Sequence, residues 1–291
     1  MAKRVNRLAY IIGNDKYEQY NMLSGSINDT ILMETTLRKC GFTTKKFTDL
    51  SYKEFSDKVY QFKFECMNYN VGLFYFAGHG FEYRGENYLC PTDSKKEEIT
   101  ETNVNITNLL NEISKKRDFI SIIILDCCRT NIESIYRDAS RINDIIPNFK
   151  NNGGTFIAYA TNSGDKAIEN NNHGLFTQTI CKHITKDGEM IEQVFKNVRK
   201  DVMKQSNLVY DKIQIPWEYS SLVEDFYFVK TEENVSSIIK KVLNEGCSYG
   251  EIKDEVYNYC INKDLLDNYP EILYSVLNGI DNINVKGDLK C

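Results

Sequence analysis

Histidine is nearly missing from this chain, three residues in 291, and tryptophan occurs once and proline four times. A basic excess is missing too: 36 Lys and Arg stand against 41 Asp and Glu, a net charge of −5. A nucleic-acid grip normally needs a basic face, so no nucleic-acid partner is expected. No run approaches the roughly 18 apolar residues of a membrane span. The five apolar residues of "LAYII" near the start are too few for a signal-peptide core. The expectation is therefore a cytoplasmic protein without a membrane partner. The nine cysteines are scattered and odd in number, with no CxxC pair and no Cys/His cluster at zinc spacing. That pattern excludes a structural zinc module and reads as free thiols in a reducing compartment, with no metal site and no cofactor, although a calcium requirement is left open.

What is present is the composition of an ordered globule: 42% hydrophobic and 26% charged residues exclude a disordered chain. Along it, β-rich apolar runs alternate with helical patterns. Strands are predicted at residues 7–13, 43–50, 71–78, 119–126, 154–161 and 224–229. Between them, "SINDTILMETTLRKCGF" places Ile27, Ile31, Leu32 and Leu37 at helical spacing before a stop at Gly41. Ser51 followed by Glu54 marks a capped helix start. Further helices are predicted near 105–116, 175–185 and 189–205. The polar stretch "YRGENYLCPTD" reads as a hairpin. Strand–helix alternation implies an α/β fold with a mostly parallel sheet covered on both faces. Beyond about residue 231 the pattern changes to three short helices, so the domains are expected at 1–230 and, as a small helical extension, at 231–291.

Two apolar runs end on reactive side chains. "LFYFAGHG" delivers His79 between glycines, and "SIIILDCC" delivers Cys127 and Cys128. In parallel sheets, functional residues gather beyond the carboxyl ends of the strands. If the two strands are neighbours, an imidazole and a thiol emerge at one edge. Imidazole is the natural base near neutral pH, and the thiolate it generates is the nucleophilic form. Backbone N–H groups just after His79 and at the nucleophile are placed to meet an oxyanion. Asp126, an acid closing an apolar strand, also calls for a reason. A redox role for the vicinal cysteines is disfavoured, because adjacent cysteines close a strained ring. His173 reads as a residue at a helix start, and His183, two positions from Cys181, does not share a helical face with it.

The combination "YFAGHG" and "ILDCCRTN", about 50 residues apart, resembles the caspase-like cysteine peptidases, and within them the paracaspase and bacterial caspase-homologue branch. "YIIGNDKY", "SINDT", "YLCPTD", "YATNSGDKAIE" and "PWEYSSLVEDFYF" extend the resemblance over about residues 7–230. The resemblance implies a three-layer α/β/α sandwich around a six-stranded, mostly parallel sheet. It implies His79 as general base and acid, Cys128 as nucleophile with Cys127 a packed thiol, and an oxyanion hole from the Gly80 and Cys128 amides. It further implies a pocket for a basic side chain lined by Asp29, Asp126 and Glu169, with Trp217 walling the groove. Carboxylates in such a pocket select Arg over Lys through bidentate geometry. The Gln-Ala-Cys-x-Gly box of animal caspases is absent, which counts against cleavage after aspartate.

The expected function is thus endopeptidase cleavage of protein or peptide substrates after a basic residue, through a thioester. In relatives the loop after the nucleophile can be processed, which makes Arg137 and Arg141 candidates for self-cleavage. The extension at 231–291 is a candidate surface for a regulatory protein. The competing expectation is a catalytically silent scaffold of the same fold.

Overall fold

The computed structural model describes residues 6–229, except 85, 114–115, 117–118, 128–129, 132–153, 162–168, 171–172 and 211–212. All lie in the larger of two units into which the chain divides, Val5–Val229; the other comprises Met1–Arg4 with Lys230–Cys291. The helical extension expected at 231–291 falls outside the described residues.

The chain opens with β1 (Arg7–Gly13), α1 (Ser26–Lys39), β2 (Phe42–Thr48) and α2 (Tyr52–Glu65). The Ser51–Glu54 capping box starts α2 as expected: the Ser51 amide donates to Glu54 Oε2 at 3.0 Å. β3 (Val71–Gly78) is followed by the hairpin β4 (Gly80–Tyr83) and β5 (Glu86–Leu89), then β6 (Val104–Asn105) and α3 (Ile106–Ile113). β7 (Ile120–Cys127), β8 (Thr130–Asn131) and β9 (Thr155–Tyr159) come next. The short pair β10 (Glu169–Asn170) and β11 (His173–Gly174) leads into α4 (Leu175–His183), α5 (Ile191–Tyr210) and β12 (Trp217–Ser220).

Among the described residues, six strands form the main sheet in the order β12-β9-β7-β3-β1-β2. All pairings are parallel except that of β12 with β9. β3, β7 and β9 are buried throughout or nearly so, because helices cover both faces. Alternate residues feed two separate cores. Leu73, Tyr75, Ile122 and Ile124 pack with Met33 of α1, Phe176 of α4 and Phe195 of α5. Phe74, Phe76, Ile123 and Leu125 pack with Phe55 and Phe62 of α2 and Ile106 of α3. A strand buried on both sides has no polar alternate, which is why these runs read as unbroken apolar stretches. The chain reverses direction across the sheet between β1 and β3, and ligand sites of open α/β sheets form outside the carboxyl ends at such a switch.

One predicted strand is corrected. Residues 224–229 do not join the main sheet and make only isolated bridges, Asp187 with Val229 and Met190 with Tyr227. Phe226 and Phe228 are buried, which explains the strand-like alternation. The Arg7 guanidinium donates to the Tyr227 and Phe228 carbonyls at 3.0 and 2.7 Å, filling acceptors that a neighbouring strand would have used. The edge strand is Trp217–Ser220 instead. Among the described residues, no helix is long and apolar enough to cross a membrane.

α4 is tied to α5 where His183 Nε2 meets Asp201 Oδ2 at 2.9 Å. The His183 hydrogen bond, ahead of Lys182, holds the Asp201 carboxyl below its ordinary value. A depressed carboxyl adds stability that is full above the unfolded carboxylate pKa, about 3.9, and is lost as pH falls through the lower folded value. Asp201→Asn is therefore expected to cost about 1 kcal/mol at neutral pH, a figure kept small by partial exposure of the pair. Urea unfolding at pH 7 and again below pH 4 checks this, the gap between variant and wild type narrowing on acidification.

Candidate active site

Because β3 and β7 are parallel neighbours, their ends coincide: Gly78 lies opposite Cys127 in the register. His79 follows Gly78 directly. Its backbone N–H donates to the Tyr17 hydroxyl oxygen at 2.8 Å, and its ring Nε2 lies 2.8 Å from the Asn21 backbone oxygen. A carbonyl only accepts, so the proton of the neutral ring sits on Nε2 and the lone pair on Nδ1. The Tyr17 and Tyr20 rings flank the imidazole, with centroids 4.5 and 5.6 Å away. Burial pushes the Tyr17 phenol well above its ordinary value, so it stays neutral beside the histidine. Tyr17, Tyr20 and Asn21 come from the loop that leaves the carboxyl end of β1. Sequence reasoning assigned them no role; Tyr17 entered only as the last residue of "YIIGNDKY", and Tyr20 and Asn21 gave no signal of their own.

Gly80 begins the hairpin. A Cβ there would stand 2.8 Å from Cys127 Sγ, so only glycine lets β4 pass this close to β7. The Cys90 amide donates to the His79 carbonyl at 3.0 Å, so the two residues stand in hydrogen-bonded register although the His79 amide itself goes to Tyr17. The alternation of an antiparallel ladder then turns the Gly80 N–H away from β5. Cys127 is a buried thiol outside any disulfide at the end of β7, within the core shared with α2 and α3. Cys128, Arg137 and Arg141 lie outside the described residues.

Two of the three acids expected in the pocket come together. Asp126, at the end of β7, and Asp29, in the first turn of α1, are both buried. A Cβ on Gly174 would stand 2.5 Å from Asp126 Oδ2 and 3.0 Å from Asp29 Oδ2, so both carboxylates crowd the same glycine. Each has donors. Thr177 gives Asp126 Oδ2 its hydroxyl at 2.6 Å and its amide at 3.3 Å. Gly174 gives its amide to Asp29 Oδ2 at 2.9 Å, and His173 Nδ1 lies 2.9 Å from Asp29 Oδ1. Tyr75 stands behind, 2.6 Å from the Thr177 hydroxyl, which makes Tyr75 the donor in that pair. The negative field reaches the neighbours: burial first, then Asp29 and Asp126, raise the Tyr75 phenol well above its usual range. Burial, with smaller contributions that include both acids, pushes the Cys181 thiol up to about 12. Glu169 is described by its backbone, which pairs with Gly174 in the β10–β11 ladder. Trp217, 37% exposed on β12, has its ring 6.0 Å from that of Tyr159 at the carboxyl end of β9. Among the described residues, no group of three or more His, Cys, Asp or Glu could hold a metal ion.

Chemically, the rim of the sheet combines an imidazole with a defined lone pair and a buried pair of carboxylates. Residues 6–227 match the family model described as the caspase domain. Over 179 residues the chain is 28% identical to human mucosa-associated lymphoid tissue lymphoma translocation protein 1, and equally so to its mouse homologue. It is 29% identical over 187 residues to a paracaspase of Dictyostelium discoideum. Each alignment covers 62% of this chain. The aligned part spans 21% of the human and mouse relatives and 44% of the Dictyostelium one, well under two thirds of each.

Proposed function

The chain belongs to the caspase domain family, and on that premise we propose that it is a cysteine endopeptidase that cuts protein substrates after a basic residue, arginine before lysine. His79 Nδ1 takes the Cys128 thiol proton, and the thiolate attacks the scissile carbonyl carbon. The resulting oxyanion is met by the Gly80 and Cys128 amides. The imidazolium then returns its proton to the leaving amine, and a thioester remains. Water, deprotonated by His79, hydrolyses the thioester and frees the thiol.

Connectivity supports the dyad. Cys128 directly follows Cys127 in the sequence, and the strand partner of Cys127, Gly78, directly precedes His79. The observation that carries the specificity is the crowding of Asp126 and Asp29 around Gly174. Asp126 is two residues before Cys128, so the acidic pocket adjoins the nucleophile. Two carboxylates this close repel one another, and a guanidinium relieves the repulsion through charge-assisted hydrogen bonds to them. Glu169 completes the acidic set and Trp217 walls the groove. Cleavage at Arg137 or Arg141 and a regulatory partner on the extension at 231–291 belong to the same proposal.

Fluorogenic peptides carrying Arg, Lys or Asp before the scissile bond test it. The expected order is Arg above Lys, with Asp uncleaved, and intact-mass analysis of the same preparation reports any cut at Arg137 or Arg141. Preference for Asp, or no cleavage of any peptide by the full chain, would overturn the proposal, the latter outcome favouring a silent scaffold.

A further inference from the structure

His79 is taken up by catalysis and His183 by the α4–α5 tie, which leaves His173. It sits in β11, directly before Gly174 and α4. The two consecutive residues hold Asp29 at both of its oxygens: His173 Nδ1 at Oδ1 and the Gly174 amide at Oδ2, each at 2.9 Å. The partners are 144 and 145 positions apart in the sequence, so the contact is made by the fold and not by local geometry. The Asp29 side chain is 5% exposed and that of His173 is 30% exposed, so the imidazole sits between solvent and a buried acid. A carboxylate oxygen accepts, so Nδ1 is the protonated nitrogen facing it.

We propose that His173 is a positioning residue for the basic-side-chain pocket: it fixes the rotation of the Asp29 carboxylate and thereby sets how strongly the pocket binds a guanidinium. This rests on the acidic-pocket reading above. A bidentate guanidinium contact depends on the plane of the carboxylate as well as on its charge. With the Gly174 amide on one oxygen and the imidazole N–H on the other, that plane is set before substrate arrives, and less ordering is left to the moment of binding. Without the imidazole, Oδ1 loses this donor and the carboxylate plane is held less tightly. A staple that merely held α1 against α4 would act differently, changing stability and affecting charged and uncharged substrates alike.

The test uses the full chain with Cys128→Ala as background and calorimetric binding of two peptides, one with arginine and one with citrulline, its uncharged isostere, before the scissile position. Three proteins are compared: His173 intact, His173→Leu, which fills the space without a donor, and His173→Asn, whose amide nitrogen reaches the place of Nδ1. The expected result is a preference for arginine of tenfold or more with His173. That preference falls about tenfold in His173→Leu, the scale of one charge-assisted hydrogen bond, and is largely restored in His173→Asn. In the Cys128-intact series, KM for the arginyl peptide rises by the same factor while kcat stays within about twofold. Equal preference for arginine in all three proteins overturns this inference and leaves the acidic pocket standing. So does loss of affinity for both peptides together. No preference for arginine even with His173 intact overturns the pocket itself, and the inference with it.

Discussion

Replacing Cys128 by alanine will lower turnover of an arginyl peptide by about 10⁴-fold or more, and His79→Ala will do nearly as much. In the proposed mechanism each side chain works only through the other, so the two losses will not add and the double variant will match the worse single one. The reason lies in the ring geometry. The Asn21 carbonyl, 2.8 Å from Nε2, fixes the proton of the neutral imidazole there and leaves Nδ1 as the basic atom. A base held in one tautomer by a backbone acceptor needs no carboxylate partner, and the described contacts of His79 include none. Stability should change little in Cys128→Ala. In His79→Ala it falls modestly, because the ring packs against Tyr17 and Tyr20. Thermal melts recorded beside the kinetics separate loss of chemistry from loss of fold. A His79→Ala protein that keeps more than a tenth of wild-type kcat/KM would remove His79 from the mechanism.

The parts of this architecture that could be read from the sequence are those with a local physical cause. β3 and β7 stood out because strands covered on both faces need no polar alternate, and the start of α2 because Ser51 and Glu54 cap it within one turn. The strand assigned to residues 224–229 failed for a related reason. Phe226 and Phe228 alternate inward as they would in a strand, yet the Tyr227 and Phe228 carbonyls accept from Arg7, more than 200 positions away, a pairing no local pattern encodes. At the site, His79 and Asp126 were legible because a polar residue closing an apolar run demands an explanation. Asn21 was not, since it acts through a backbone carbonyl that every residue type possesses. The grip of His173 on Asp29 was equally hidden, because it depends on α1 and β11 meeting across the fold.

The largest effect on specificity is expected from the acids. Asp126→Asn and Asp29→Asn should each lower kcat/KM for an arginyl peptide by about 100-fold, the cost of removing one charge from a buried ionic contact. The citrullinyl counterpart should be nearly unaffected. Asparagine keeps the shape and one acceptor, so Thr177 still finds an oxygen at position 126 and the Gly174 amide one at position 29. At position 126 what disappears is charge; at position 29 the acceptor that meets His173 Nδ1 goes with it, and the response of charged against uncharged substrate reads the loss of charge. The pair should also be coupled. Both carboxylates crowd Gly174, so in the free protein each raises the energy of the other, and removing one relieves the strain on its neighbour. The double variant should therefore lose less than the sum of the single losses in free energy, by 1 kcal/mol or more, a scale typical of directly interacting sites. Strict additivity would mean that the two acids bind the substrate independently. An equal drop for arginyl and citrullinyl peptides would mean that they serve the fold, and basic specificity would then have to come from elsewhere on the rim.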